Sequence, residues 1–244
     1  MARPPSSGPT EAAALQVRAE EARLRGAYAR RAPGDRYALS NPAQLFLLQE
    51  RERATLALLR RHGLLPLGER RLLEVGCGGG QWLRDLVRWG AEPSRLCGVD
   101  LLPERVAESR RLCAPAVGLA RASGTSLPFP DRRFDLVLQS TVFTSLLDPD
   151  VRRAVAREML RVLRPGGAVI WYDYHVNNPR NPDVRRVGRG EIAALFPGCR
   201  LELERVTLAP PLARLLAGRA WTLCQALAAV PWLRTHYLGL VWKP

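Results

Sequence analysis

Apolar residues along the chain switch repeatedly between short continuous runs and a helical spacing. Leu72–Val75, Leu96–Asp100, Phe134–Gln139 and Ala168–Tyr172 are compact runs, while Gln81–Trp89, Glu104–Leu112 and Val151–Leu163 between them carry a helical pattern. The first kind suits strands buried on both faces, the second amphipathic helices. Their alternation predicts an α/β fold, a parallel sheet with helices on both faces. Asp148 as a cap and Pro149 in the first turn mark the start of the last of these helices.

The flanks read differently. Residues 1–10, MARPPSSGPT, are expected to be a disordered N-terminus, and 11–63 a helical cover. That cover holds one helix over 11–31 and a second from a cap at Asn41, through Pro42, to a stop at Gly63, with Leu45, Leu48, Leu56 and Leu59 as its buried stripe. Residues 64–244 form the main domain. Near its end, Leu201, Leu203, Val206 and Leu208 suggest one strand, and Leu238, Leu240 and Trp242 another. Residues 209–236 between them, opening with Pro210-Pro211 and rich in leucine, predict a helical insertion.

One segment carries specific chemistry. Leu72-Leu73-Glu74-Val75-Gly76-Cys77-Gly78-Gly79-Gly80 passes from a strand through glycines into a helix, and Asp100 closes the next strand. Glycines there let a ligand approach bare backbone near the amides of a helix start. The acid can hydrogen-bond the hydroxyls of a ribose, so the pattern predicts an adenosine-like cofactor. The dinucleotide fingerprint would place its third glycine at Gln81, and Glu74 would repel a pyrophosphate. A carboxylate at that point suits a ligand with an amino group.

With Glu74, Val75 and the glycine run in place, the chain resembles the class I S-adenosylmethionine-dependent methyltransferases, in particular the bacterial small-molecule and glycan type (type 11-like). Leu127–Leu138 resembles the family's approach to its fourth strand, and Leu160–Gly167 its turn into the fifth. The resemblance implies a Rossmann-like, seven-stranded, mostly parallel sheet and S-adenosyl-L-methionine as cofactor. It places Glu74, Gly76, Cys77, Gly78 and Gly80 around the methionine portion and Asp100 and Leu101 at the ribose. Ser123 and Gly124 fall at the adenine, and Gln139 at the exit of the fourth strand. Ser123 departs from the family, which often has an Asp there; Ser145 stands where many relatives carry a His.

Acceptor groups are expected where the fifth strand ends. Asp173, Tyr174, His175, Asn177 and Asn178 concentrate there, with Thr141 beside them after the fourth strand. An imidazole near its reference pKa can take a proton from a hydroxyl acceptor, with Asp173 orienting His175. The structural alternative is that Asp173 caps a loop, His175 is an exposed loop residue and the Asn-Pro pairs shape turns. His62 is expected at a helix C-terminus. His236 with Tyr237 is a second candidate pair, and Tyr28, Tyr37 and Asn41 could reach the cofactor from the cover.

Charge changes the picture little. The 244 residues carry a formal net charge of +14, with Lys243 the single lysine. The arginines are scattered and no nucleic-acid-binding module accompanies them, so a nucleic-acid partner is not expected. A solvated surface is the plain reading, and attraction to anionic membrane or a phosphate-bearing acceptor the alternative. Cys77, Cys97, Cys113, Cys199 and Cys224 show no paired or metal-like spacing, which predicts reduced thiols in a cytoplasm and no metal site. No apolar stretch is long enough to cross a bilayer, and residues 1–10 lack the apolar run of a secretory signal. The expected function is enzymatic methyl transfer to oxygen of a small-molecule, sugar or lipid-linked acceptor, in glycan or secondary-metabolite biosynthesis. Its location would be cytoplasmic, or peripheral at the inner face of the membrane. A nucleic-acid methyltransferase lacks its Asn/Asp-Pro-Pro-aromatic motif here, because Gln139-Ser140-Thr141-Val142 occupies that place. A non-catalytic cofactor-binding protein is the remaining alternative.

Overall fold

Three consecutive apolar runs form the middle of the molecule: β1 (Leu72–Val75), β2 (Leu96–Asp100) and β4 (Phe134–Ser140) lie side by side and parallel, with β1 between the other two. All four residues of β1 are buried, as both faces of a central strand require. The computed structural model describes residues 11–30 and 38–244; the expectations for residues 1–10 and Tyr37 lie outside them. The full sheet has seven strands in the order β3-β2-β1-β4-β5-β7-β6. It adds β3 (Gly118–Arg121), β5 (Leu163–Tyr174), β6 (Arg200–Leu208) and β7 (Arg234–Trp242), and only β7 opposes its neighbours. This is the expected Rossmann-like, mostly parallel sheet.

Helices cover both faces. In chain order they are α1 (Glu11–Ala29), α2 (Pro42–Arg61), α3 (Gln81–Arg88), α4 (Pro103–Leu112), α5 (Val142–Ser145), α6 (Pro149–Val162), α7 (Arg189–Leu195), α8 (Pro210–Leu216) and α9 (Trp221–Ala228). Leu72, Leu96, Leu138, Ile170 and Leu240 face one side, where they pack with Leu58 and Leu59 of α2 and with α3. Leu73, Val99, Val137, Val169 and Val241 face the other, against α6 and α7, with Val17 and Leu24 of α1 at the edge. This is the period-two alternation of strands read directly in space.

The N-terminal helices are built into these layers. Glu20 of α1 accepts from the amide of Leu147, and Arg23 donates to the Ser145 carbonyl, so α1 is pinned to the turn before α6. In α2, Asn41 caps the start by accepting from Ala43, as expected. The expected stripe was rotated, however: Ala43, Phe46, Arg51, Thr55, Leu58 and Leu59 are the buried residues, whereas Leu45, Leu48 and Leu56 are only half-buried. Two polar residues on the inward face had hidden its period. Arg51 is tolerated there because its guanidinium pairs with Asp85 at 2.9 Å and lies 4.1 Å over the Trp82 ring.

The insertion is helical, as α8 and α9, and packs on α2. Ala213, Ala217 and Cys224 join Ala43, Phe46 and Leu208 in a third apolar cluster, with Phe46 edge-on to Trp221 at 5.1 Å. The elements that were not anticipated are the short ones. β3 has four residues, none fully buried, and α5 and α7 have four and seven, too few to display a period.

Candidate active site

Strand order reverses at β1, whose neighbours β2 and β4 lead away to opposite edges, and the carboxyl ends of the strands at such a point are where open α/β sheets bind their ligands. The glycine loop lies there. The amides of Gly76 and Cys77 both donate to the Val99 carbonyl, at 2.8 and 2.9 Å, which folds the loop over the end of β2. Gly76, Gly78 and Gly80 have φ of +73°, +52° and +75°, values that favour glycine. A Cβ on Gly76 would come within 2.5 Å of Val142 Cγ2, and one on Gly80 within 2.5 Å of Cys113 Sγ. A Cβ on Gly78 would meet nothing within 4 Å. The loop is therefore packed on two glycines and open at the third.

Asp100 stands beside that opening. Its Oδ2 accepts from the Gly78 amide at 2.8 Å and its Oδ1 from the Leu102 amide at 2.9 Å. Each oxygen keeps a further acceptor site, since a carboxylate offers about four. Burial raises its pKa, and the two amides hold it down. Leu101 follows, half-buried. Behind the loop, Glu74 is 2% exposed and its Oε2 has no hydrogen-bond partner among the described residues. Burial pushes its pKa well above the usual carboxylate range, against the pull of Arg51. The Cys77 thiol is buried and its pKa is raised by that burial, which suits a packing group and not a nucleophile.

The neighbouring loops follow β3 and β4. Ser123 exchanges a hydrogen bond with Thr125, hydroxyl to hydroxyl at 2.8 Å, and Gly124 lies against Val75 and Val155. After β4, the fully buried Gln139 accepts from the Val142 amide at 3.1 Å, while its Nε2 has no partner among the described residues. Thr141 then turns the chain with φ of +58°, a strained value for a β-branched residue. Its amide is tied to the Tyr172 carbonyl at 2.8 Å.

The acceptor-side residues are arranged differently from the expectation. Asp173 does not orient His175. It is fully buried and accepts from the amide and hydroxyl of Thr144 and from the Tyr174 amide, so it bolts β5 to α5. Burial pushes its pKa up to about 6. His175 is half-buried, with Nε2 3.0 Å from the Arg234 carbonyl and its ring 4.6 Å from that of Tyr237. A carbonyl only accepts, so Nε2 carries the proton and Nδ1 is the basic nitrogen. Burial and then Arg205 lower its pKa, leaving the ring neutral at pH 7.

Asn177 and Asn178 are exposed and use their side-chain oxygens on the Arg186 and Arg180 amides, the turn-shaping alternative. Asn177 also lines a cleft with Arg185, Arg186, Gly188 and Glu191. His62 lies at the end of α2, as expected, 3.0 Å from Glu202.

Tyr174 belongs to a group that the sequence reading recognised only in part. Its ring is 3.8 Å from that of His236, which stacks on Tyr172 at 4.6 Å and 14°. The Tyr172 hydroxyl meets Thr207 at 2.9 Å, and Arg51 reaches the same group from α2 at 6.0 Å. Burial first, then His175, depresses His236 to about 3. Arg51, Trp82 and Tyr172 were missed. The signal for Arg51 was present in Phe46, Leu58 and Leu59, whose spacing puts it on the inward face.

Comparison with known proteins agrees with this geometry. Residues 72–167 match the methyltransferase domain family. The chain is 36% identical over 119 residues to the phthiotriol/phenolphthiotriol dimycocerosates methyltransferase of Mycobacterium tuberculosis, covering 47% of this chain and 41% of that one. It is 34% identical over 137 residues to the ubiquinone biosynthesis O-methyltransferase of Cereibacter sphaeroides, covering 54% and 52%. The chain thus spans about half or less of the length of these relatives. A SAM-dependent methyltransferase from Archaeoglobus fulgidus superimposes with a TM-score of 0.55 at 18% identity, over 82% of this chain and 98% of that one. The [4+2]-cyclase SpnF gives 0.59 at 21%, over 80% and 82%, which indicates the same fold beneath a different named activity. The open Gly78, the ribose-competent Asp100 and the buried, unpaired oxygen of Glu74 fit S-adenosyl-L-methionine, a ligand with a ribose and an amino group but no phosphate. Residues 72–167 of the chain thus match a methyltransferase domain, and the fold around them is that of S-adenosyl-L-methionine-dependent methyltransferases.

Proposed function

We propose that the chain is an enzyme that moves the methyl group of S-adenosyl-L-methionine to oxygen of a small-molecule, sugar or lipid-linked acceptor. The cofactor supplies an electrophilic methyl on a good leaving group. Glu74 holds the amino group, the loop at Gly76–Gly80 lines the methionine portion, and Asp100 with Leu101 binds the ribose. Ser123 and Gly124 border the adenine. The observation that carries the reading is Glu74, a buried carboxylate with one oxygen unpaired beside an open glycine loop. Such a group is costly unless a cation partners it.

The acceptor lies between the Thr141 turn and the Tyr174–His236 rings, with Asn177 at the outer edge. His175 takes the acceptor proton through Nδ1, oriented by the Arg234 carbonyl in place of Asp173. The two relatives named above support a lipid or small-molecule acceptor, since their names specify a dimycocerosate and a ubiquinone precursor pathway. A place in glycan or secondary-metabolite biosynthesis, in the cytoplasm, belongs to the same proposal.

The test is transfer of labelled methyl from S-adenosyl-L-methionine into fractions of a bacterial lysate, with Gly78→Arg as the blocked control. Label in a glycan or lipid fraction supports the proposal. Label confined to nucleic acid overturns the acceptor class, and S-adenosylhomocysteine binding without transfer to any fraction points to a non-catalytic binder.

A further inference from the structure

The insertion between β6 and β7 has two faces of different character. Inward, Ala213, Ala217 and Cys224 are buried against α2 and β6. Outward, Leu215, Leu223, Val230 and Trp232 stand in solvent, and Trp232 is 84% exposed. Among the described residues, these four are half of the eight exposed large apolar side chains, within 18 consecutive positions. Such clustering exceeds the scatter of single apolar residues normal on a surface. On α9, Leu223 and Ala226 are spaced to share one exposed side, Val230 follows just beyond the end of the helix, and α9 contains no charged residue.

Within this stretch of chain the charged side chains have one sign, and the nearby Glu50 of α2 is engaged by the Thr207 and Leu208 amides. From Arg205 to Pro244 there is no Asp or Glu, while Arg205, Arg214, Arg219, Arg234 and Lys243 are present. Arg234 is committed to the Ala228 and Arg205 carbonyls, and Lys243 to those of Leu160 and Leu163. Arg214 and Arg219 are exposed and flank Leu215. An exposed indole, a row of aliphatic residues and neighbouring arginines are what a bilayer interface accepts: the apolar groups enter the acyl boundary and guanidinium groups stay with the phosphates. No helix among the described residues is long and apolar enough to cross a membrane, so the contact is with its surface.

We propose that α8, α9 and the turn at Pro231–Leu233 form a docking surface for an anionic bilayer. The same segment leads through Arg234 and Thr235 to His236, whose ring contacts Tyr174. Given the acceptor placement proposed above, on which this step rests, docking sets that side of the site toward the lipid surface.

The test is co-sedimentation of the full chain with vesicles of phosphatidylglycerol and phosphatidylcholine, and with phosphatidylcholine alone. The wild type is expected to pellet with the anionic vesicles at low salt. The variant Leu215→Ser/Leu223→Ser/Trp232→Ser is expected to bind roughly tenfold more weakly, with an unchanged circular dichroism melt because the three residues are exposed. Wild type that stays in the supernatant overturns the proposal. So does a triple variant that pellets equally, since scattered arginine charge would then explain binding. Concentration-dependent self-association abolished by the triple variant, without vesicle binding, would make the patch an interface between copies and also overturn it. Vesicle binding requires neither cofactor nor turnover, so its failure is distinct from failure of the methyl-transfer reading.

Discussion

The amide of Gly78 donates to Oδ2 of Asp100 across 2.8 Å, and this joins the open point of the glycine loop to the end of β2. The carboxylate proposed to bind a ribose thus also shapes the loop proposed to bind the methionine portion. Asp100→Ala should lower S-adenosylhomocysteine affinity by roughly 100-fold, the loss of two charge-assisted hydrogen bonds. It should also lower stability by about 1–2 kcal/mol, because the Gly78 and Leu102 amides lose their acceptor. Titration calorimetry and urea unfolding measure the two effects separately.

Gly76 combines a left-handed φ with a blocked Cβ position. Gly76→Ala should destabilise by about 2–3 kcal/mol, from the backbone conformation and the contact with Val142. Adding Val142→Ala removes the contact and leaves the conformational part. Thermal unfolding of the pair should therefore recover only a portion of the loss, and complete recovery would show that φ is not strained.

Arg51 and Asp85 are both largely buried, and each lowers the cost of the other. Arg51→Met should destabilise by about 3 kcal/mol, less whatever Arg88 compensates from 3.5 Å. In a double-mutant cycle with Asp85→Asn the coupling should be about 1–3 kcal/mol, whereas additivity would mean the pair is incidental.

His236 sets a pH dependence with a definite sign. Its pKa is about 3 in the fold against 6.5 when unperturbed. Between these values the unfolded chain binds a proton that the folded chain refuses, so stability falls as pH falls through that window. Asp173 acts oppositely. Its pKa of about 6 in the fold against 3.8 means the folded chain holds the extra proton, and that contribution is lost as pH rises through 6. His236→Phe keeps an aromatic ring between the tyrosines and should flatten the acid limb of a melting-temperature profile. Asp173→Asn should steepen it.

His175→Gln should reduce turnover by roughly 10²–10⁴-fold and leave S-adenosylhomocysteine affinity nearly unchanged. The wild-type activity should decline below the lowered pKa of His175, as Nδ1 becomes protonated. Wild-type turnover in the variant would transfer the base role elsewhere.

Local chemistry made much of the molecule legible in one dimension. Continuous apolar runs placed four strands, Asn41 and Asp148 with their following prolines marked two helix starts, and the Glu74–Gly80 run with Asp100 marked the strand–turn–helix unit proposed to hold the cofactor. These features depend on neighbours within a few residues or on one strand–turn–helix unit, so sequence alone determined them. Tertiary structure decided what depends on distant partners. Asp173 and His175 are two apart where β5 ends, yet Asp173 belongs to Thr144 and His175 to Arg234. Arg51 looked like a surface residue until Asp85 and Trp82 gave it a buried site. His236 acquired its environment from Tyr172 and Tyr174, which antiparallel pairing of β5 and β7 brings beside it. A polar side chain's role follows from which acceptor or ring reaches it first, and that is settled only when elements distant in sequence are packed in register.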